Sequence, residues 1–312
     1  MFLALMSAQC AAAGKPVKDY AQPLQPAYAL QVKGDYTRAY AAFERHAARN
    51  PLAQFSLGQY HQNGWGRPVS QELACSWYAK AASGKIPAAL HLHADCLMRA
   101  PDAPGNALAA LASYQAAADR GHLISLCSAA EFYIRGRYVA RDVQRGLAMC
   151  RQAALASSPP AMLRMGNYLR ADADVPPDLP AARRWYQMAA PYNEDARYRL
   201  AIMQAQGDGG PVEVDAALAA MEQLAAAGYL PAYLPTAVLY SHLPPEPDTG
   251  APSAAHLAKI YLWTSAAKAR LRDQGLLNQA SALQQQVLAV MPPEWRADLD
   301  AKVSAHLAQF SG

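Results

Sequence analysis

Bulky and small side chains recur along this chain in ordered blocks. In the stretch from Cys75 to Gly84, a bulky pair, Trp77 and Tyr78, is followed four residues on by a small pair, Ala81 and Ala82. The arrangement returns as Ser113-Tyr114 with Ala117-Ala118, Met149-Cys150 with Ala153-Ala154, Trp185-Tyr186 with Ala189-Ala190, and Met221-Glu222 with Ala225-Ala226. The first members stand at 77, 113, 149, 185 and 221, a constant step of 36, and Trp263 follows after 42 with Ala267 behind it. A spacing of four puts both blocks on one face of a helix. A period in this range predicts stacked helical repeats.

A second pattern keeps the step. Ala53, Leu57 and Gly58 recur as Ala89, His93 and Ala94, as Ser125, Ala129 and Ala130, and as Ala161, Met165 and Gly166. They return as Arg197 and Ala201, or as Ala196, Leu200 and Ala201 with a one-residue slip, and as Ala232, Thr236 and Ala237. Each repeat is therefore a first helix, A, a turn, and a second helix, B. A glycine inside a helix costs about 1 kcal/mol against alanine, so Gly58 and Gly166 are expected to admit a close neighbour. Gly64 and Gly136 are placed to end A helices. Asp142 and Asp178 are placed to start B helices, with Pro180 in the first turn.

In chain order, residues 1–26 read as a leader-like or extended segment and 27–50 as N-terminal capping helices, with Ala39, Tyr40, Phe43 and Ala47 on one stripe. Residues 51–271 form the array of about six repeats, with a proline-rich polar insertion at 244–253. Residues 272–312 are C-terminal capping helices, where Gln284-Gln285-Gln286 suits the polar outer side a terminal repeat needs.

These motifs resemble the Sel1-like repeat family, a branch of the tetratricopeptide superfamily. Its A-helix pattern is matched by Ala53, Leu57 and Gly58, by Tyr60 and His61 around the aromatic place, and by Gly64 and Gly66. Its B-helix pattern is matched by Ala74, Trp77, Tyr78, Ala81, Ala82 and Gly84. Val175, Asp178, Ala182, Trp185 and Tyr186 repeat the match, as do Gly136, Val139 and Asp142. The likeness covers about 50–290. Val214 in the place of the family Asp, and Asn106 and Ser113, mark the repeats at 193–229 and 86–121 as the ones that depart most. The resemblance implies an all-α fold, a right-handed α/α superhelical solenoid of Sel1-like (TPR-like) helix pairs.

Hydrophobic residues make up 53% and charged residues 17%, below the usual share of about 25%, as expected where alanine-rich helices pack tightly. The net charge of +4 is mild and the basic residues are scattered, which argues against nucleic acid as a partner. No run reaches the length of a membrane span. The first 13 residues are apolar and then small, like the end of a secretory leader with Ala11-Ala12-Ala13 as its cleavage site, but no basic residue precedes the apolar run. The expected location is periplasmic or secreted, or cytoplasmic if that stretch is not a leader. Some members of the family carry a disulfide within a repeat, at fixed places. Cys75 and Cys150 do not share a place, so that pattern is not expected. Two alternatives stand. In an exported protein Cys96 meets Cys127 or Cys150 between adjacent helices; otherwise Cys75, Cys96, Cys127 and Cys150 are buried thiols.

No HExxH, CxxC or phosphate-binding loop occurs, and His91 and His93 diverge on a helix. No cofactor, metal or catalytic residue is assigned, and the chain is read as a non-enzyme. By resemblance, A helices line the concave side of the stack. The recognition candidates are Gln54, Gln59, His61, His91, Asp95, Arg135, Arg164, Asn167, Arg170, Arg197 and Tyr198, with Glu131 and Gln204 beside them. The arginines of the later repeats suit an acidic partner. Trp77, Tyr78, Tyr114, Trp185, Tyr186 and Trp263 are expected in the core. The reading is a scaffold or adaptor of a bacterial envelope or surface complex that binds another protein or peptide. A secreted factor against a host or competitor protein, and a regulator of a cell-wall enzyme, are the alternatives.

Overall fold

The computed structural model describes residues 19–248 and 250–310. The leader-like residues, Cys10 and the alanine run lie outside them. Among the described residues the secondary structure is helical, with no strand. The chain divides into two compact units, Met1–His122 and Leu123–Gly312.

The first unit contains α1 (Gln25–Val32), α2 (Tyr36–Glu44), α3 (Pro51–Asn63), α4 (Gln71–Ser83), α5 (Pro87–Leu97) and α6 (Asn106–Ala118). α3 packs on α4 and α5 on α6 as A and B helices of successive repeats. Asp35 caps α2, and Phe43 and Tyr60 anchor the core beneath it. Tyr36, Tyr40, Phe43 and Trp65 ring Tyr60, edge-on in every case.

The second unit contains α7 (Ile124–Arg135), α8 (Val143–Leu155), α9 (Pro159–Ala171), α10 (Leu179–Ala189), α11 (Glu194–Gln206), α12 (Val214–Ala226), α13 (Tyr233–Ser241), α14 (Ala254–Arg270), α15 (Gln274–Leu288) and α16 (Arg296–Ala308). The pairs are α7 with α8, α9 with α10, α11 with α12 and α13 with α14; α15 and α16 close over α14.

Local chemistry sets the helix ends. Asn50, Ser70, Asp142, Asp178 and Asn193 accept backbone N–H bonds at helix starts. Gly64 and Gly136 leave A helices at φ 72° and 64°, a left-handed turn that side chains with a Cβ resist. The departures from the pattern have visible effects. Asn106 gives α6 no side-chain cap and bonds Ala100 O instead. With Val214 at the Asp place, Glu213 precedes α12 without capping it. The Glu213 carboxylate accepts from Gln204 and pairs with Arg183, which is only 4% exposed.

Gly58 and Gly166 have the packing reason expected of them. A Cβ at Gly58 would collide with the Tyr78 ring, and one at Gly166 with the Tyr186 ring. The aromatic pairs divide in a way the spacing did not foretell. Tyr78, Tyr114, Tyr186 and Trp263 are buried, but Trp77 and Trp185 are only half-buried. Adjacent helical residues point about 100° apart. The tyrosine of each pair turns toward the A helix, while the tryptophan packs against the edge of the core with part of its ring exposed, and Lys80 sits 4.1 Å over the Trp77 ring.

The cysteines form two disulfides, Cys75–Cys96 and Cys127–Cys150. Both expectations are thereby corrected. The first bond joins α4 to α5, across successive repeats. The second lies within one repeat, between α7 and α8. In the repeat register, Cys127 and Cys150 take the places of Phe55 and Tyr78, whose rings meet at 5.9 Å, and of His91 and Tyr114, whose rings meet at 5.3 Å. A facing aromatic contact has been exchanged for a covalent one.

The A-helix faces as a candidate binding site

Four polar A-helix positions share one place in the repeat: Gln59, Asp95, Glu131 and Asn167, each 36 residues from the next. Three of them accept a tyrosine hydroxyl. Tyr114 donates to Asp95 at 2.5 Å, Tyr186 donates to Asn167 at 2.8 Å, and Tyr168 donates to Glu131. In the repeat that carries Gln59, the Tyr78 hydroxyl donates to Gln62, one turn on. Burial pushes the Tyr78 hydroxyl up to about 12, so it stays a donor at any ordinary pH.

Other candidates are engaged in packing. Gln54 donates to Ala47 O at 2.7 Å. His61 is 7% exposed and shares a 3.2 Å hydrogen bond with Tyr40 OH, so it is a core contact and not an open recognition position. The His91 ring lies 4.7 Å from His122 and its Nε2 3.6 Å from Asp95. Arg135 is clamped by Glu131, Asp172 and Asp174. The guanidinium holds the Asp172 carboxyl below the usual carboxylate range. Arg197 donates to Ala190 O at 3.3 Å, and Gln204 donates to Glu213.

What is left for recognition lies mostly on α9 and α11. Arg164 is half-buried, and Arg170 reaches only to 4.0 Å from Asp208. The Tyr198 ring packs 5.7 Å from that of Tyr229. Burial raises the Tyr198 hydroxyl, and the charges of Arg199 and Arg170 pull the other way, which places both arginines near it. Arg199 was missed from sequence. The signal was present, since it stands 35 residues after Arg164 across the one-residue slip.

Tyr198 also opens an apolar groove of about 310 Å³ with Leu230, Leu234, Val238 and Leu276. A second groove, about 260 Å³, continues it along Ile202, Pro235, Val238 and Leu239. Pro235 and Val238 belong to both, so one apolar strip runs between α11 and α13. The A-helix side of the second unit is basic toward α9 and apolar toward α13. Among the described residues no helix is long and apolar enough to cross a membrane.

The Sel1 repeat family model matches residues 51–85, 124–158, 159–190 and 194–228. The repeat at 86–121, with its atypical Asn106 and Ser113, is not among the matches, whereas the one that carries Val214 is. An uncharacterized protein of Neisseria meningitidis serogroup B is 27% identical over 170 residues, 54% of this chain; the match spans only 35% of that protein's length. A Sel1 repeat protein from Oxalobacter formigenes superposes with a TM-score of 0.63 at 20% identity, covering 80% of this chain and 100% of the other. A protective antigen of uropathogenic Escherichia coli with an SLR fold gives 0.60 at 18% identity, covering 91% of this chain and 64% of the other. At these identities the two structures establish a shared solenoid fold. Sel1-repeat proteins are generally protein-interaction scaffolds. The matched segments and the helix pairs stacked in the register of their motifs together show that this chain carries four Sel1 repeats.

Proposed function

We propose that this protein is a scaffold of a bacterial envelope or surface complex, and that it holds a partner protein on the A-helix side of its second unit. The observation that carries this reading is the meeting of an apolar strip with arginines at Tyr198. An extended or helical segment with an acidic end and an apolar end complements both halves. Its apolar side chains would lie between α11 and α13, and its carboxylates near Arg164, Arg170 and Arg199. Export is supported by the two disulfides, which persist in oxidising compartments and are rare in the bacterial cytoplasm.

The test is to tag the protein in its own organism, fractionate the cells and identify what co-purifies. One envelope protein should be enriched with the wild type and lost from the double variant Arg164→Glu/Arg170→Glu, with an unchanged melting temperature. Recovery only from the medium would overturn the envelope assignment. Retention of the partner by the folded double variant would overturn the basic face.

A further inference from the structure

A groove of about 680 Å³ lies on the opposite, B-helix side of the second unit, between α8 and α10. Leu147, Met165, Leu169 and Trp185 make its apolar part. It explains why Trp185 is only half-buried. The packing that buries Tyr186 against Gly166 leaves the neighbouring indole facing the gap between two B helices.

Two further features mark this gap as a surface made for contact. The first is continuity. Gln144, Ala148 and Arg151 line it from α8, and Ala181, Arg184 and Met188 from α10. The same helical spacing carries the α8 stripe on to Leu155, the last residue of that helix. Met188 is 44% exposed and Leu155 66%, so each bank presents a large apolar side chain to solvent. The second is charge. Arg151 and Arg184 are exposed, one on each bank, and no carboxylate of the described residues pairs with either. The acid in the groove, Asp178, is occupied at the start of α10 by the Ala181 N–H at 2.9 Å.

We infer that this groove is a second docking surface, and that it takes an amphipathic helix of another protein with an apolar stripe flanked by acidic residues. From Ala181 to Met188 the bank runs about 10 Å at helical rise, enough for two turns of a docked helix. The apolar stripe of that helix covers Trp185 and Met188, and acidic residues on its two flanks meet Arg151 and Arg184. The surface is independent of the A-helix face, so the protein can hold two partners at once.

The probe is a capped synthetic helix of about 16 residues, leucine on one face and glutamate on both flanks, beside a twin with lysine for glutamate. Binding is read by fluorescence anisotropy at two salt concentrations, and located by hydrogen exchange. The glutamate helix should saturate, weaken with salt and protect α8 and α10. The lysine twin should bind at least about tenfold more weakly. Arg151→Glu/Arg184→Glu and Met188→Glu should each cost the glutamate helix at least about tenfold, while Arg164→Glu/Arg170→Glu leaves it unchanged. That last variant separates failure here from failure of the A-helix reading. Absence of saturable binding, equal binding of the twins, or full binding by the folded Arg151/Arg184 variant would overturn the proposal. A dimer in sedimentation that this variant dissolves would give the groove to a second copy of the chain and overturn it equally.

Discussion

The Tyr186 ring and the bare Cα of Gly166 are two halves of one contact, and Tyr78 with Gly58 is its copy in the first unit. Helix propensity alone favours alanine at Gly166 by about 1 kcal/mol. Packing opposes it, because the added methyl meets a ring that is fully buried and cannot retreat. Gly166→Ala should therefore destabilise by about 1–3 kcal/mol in urea unfolding, and a gain would show that the ring has room. Tyr186→Ala should cost about 3–5 kcal/mol, and Trp185→Ala clearly less, because the indole is half in solvent. Equal losses would contradict the division between the two neighbours. Tyr186→Phe removes the hydroxyl that donates to Asn167 and should cost about 0.5–1.5 kcal/mol. These residues were legible as a pair from the step of 36. Which of the two is buried depends on the rotation of the B helix about its axis, and that is settled by the A helix it packs on.

Helix starts and stops were open to reading because capping is local. Asp142 and Asp178 bond N–H groups three residues on, and Gly136 turns the chain where an A helix ends. The disulfides belong to the same scale but join different helices. Cys75–Cys96 ties α4 to α5 over a separation of 21 residues, and Cys127–Cys150 ties α7 to α8 over 23. Loops of this size predict about 3 kcal/mol of stabilisation from each bond through the unfolded chain. Replacing either pair by two alanines should lower the urea midpoint accordingly, and a midpoint unmoved by both changes would show that the bonds add nothing. Mild reductant should open Cys75–Cys96 first, since both its cysteines are half-buried while Cys127 and Cys150 are fully buried. Mass spectrometry of alkylated samples reads the order.

At the scale of the whole molecule, acid should weaken the fold through its histidines. Burial holds His61, His93, His122 and His306 below the usual imidazole range. Arg67 adds to this at His61 and Arg270 at His306, and Asp95 opposes it at His122. The unfolded chain thus takes up protons at these sites before the folded chain does. Their stabilisation is fully present above the ordinary imidazole pKa and is lost as pH falls through the lowered folded values. Melting temperature should fall steadily between about pH 7 and about pH 5, and a flat profile would mean that these rings are solvated in the folded state. Asp172, held low by Arg135, adds a loss of the same sign at lower pH, below the ordinary carboxylate pKa.

The sequence by itself determined the repeat, its period, the helix pairs and their ends. Each of these rests on residues within a turn or two of one another, or on a constant step that needs no knowledge of distance. Tertiary structure decided the rest. It chose the cysteine partners, because the 23-residue spacing of Cys127 and Cys150 reads as a contact only once Phe55 and Tyr78 are seen to face each other. It buried His61, gave Arg135 and Asn167 hydrogen-bond partners, and set Arg199 and Arg170 near Tyr198 and its apolar strip, where the proposed site lies. It also opened the groove between α8 and α10. A step along the chain says which residues are equivalent; only the packing of one helix on the next says which of them meet.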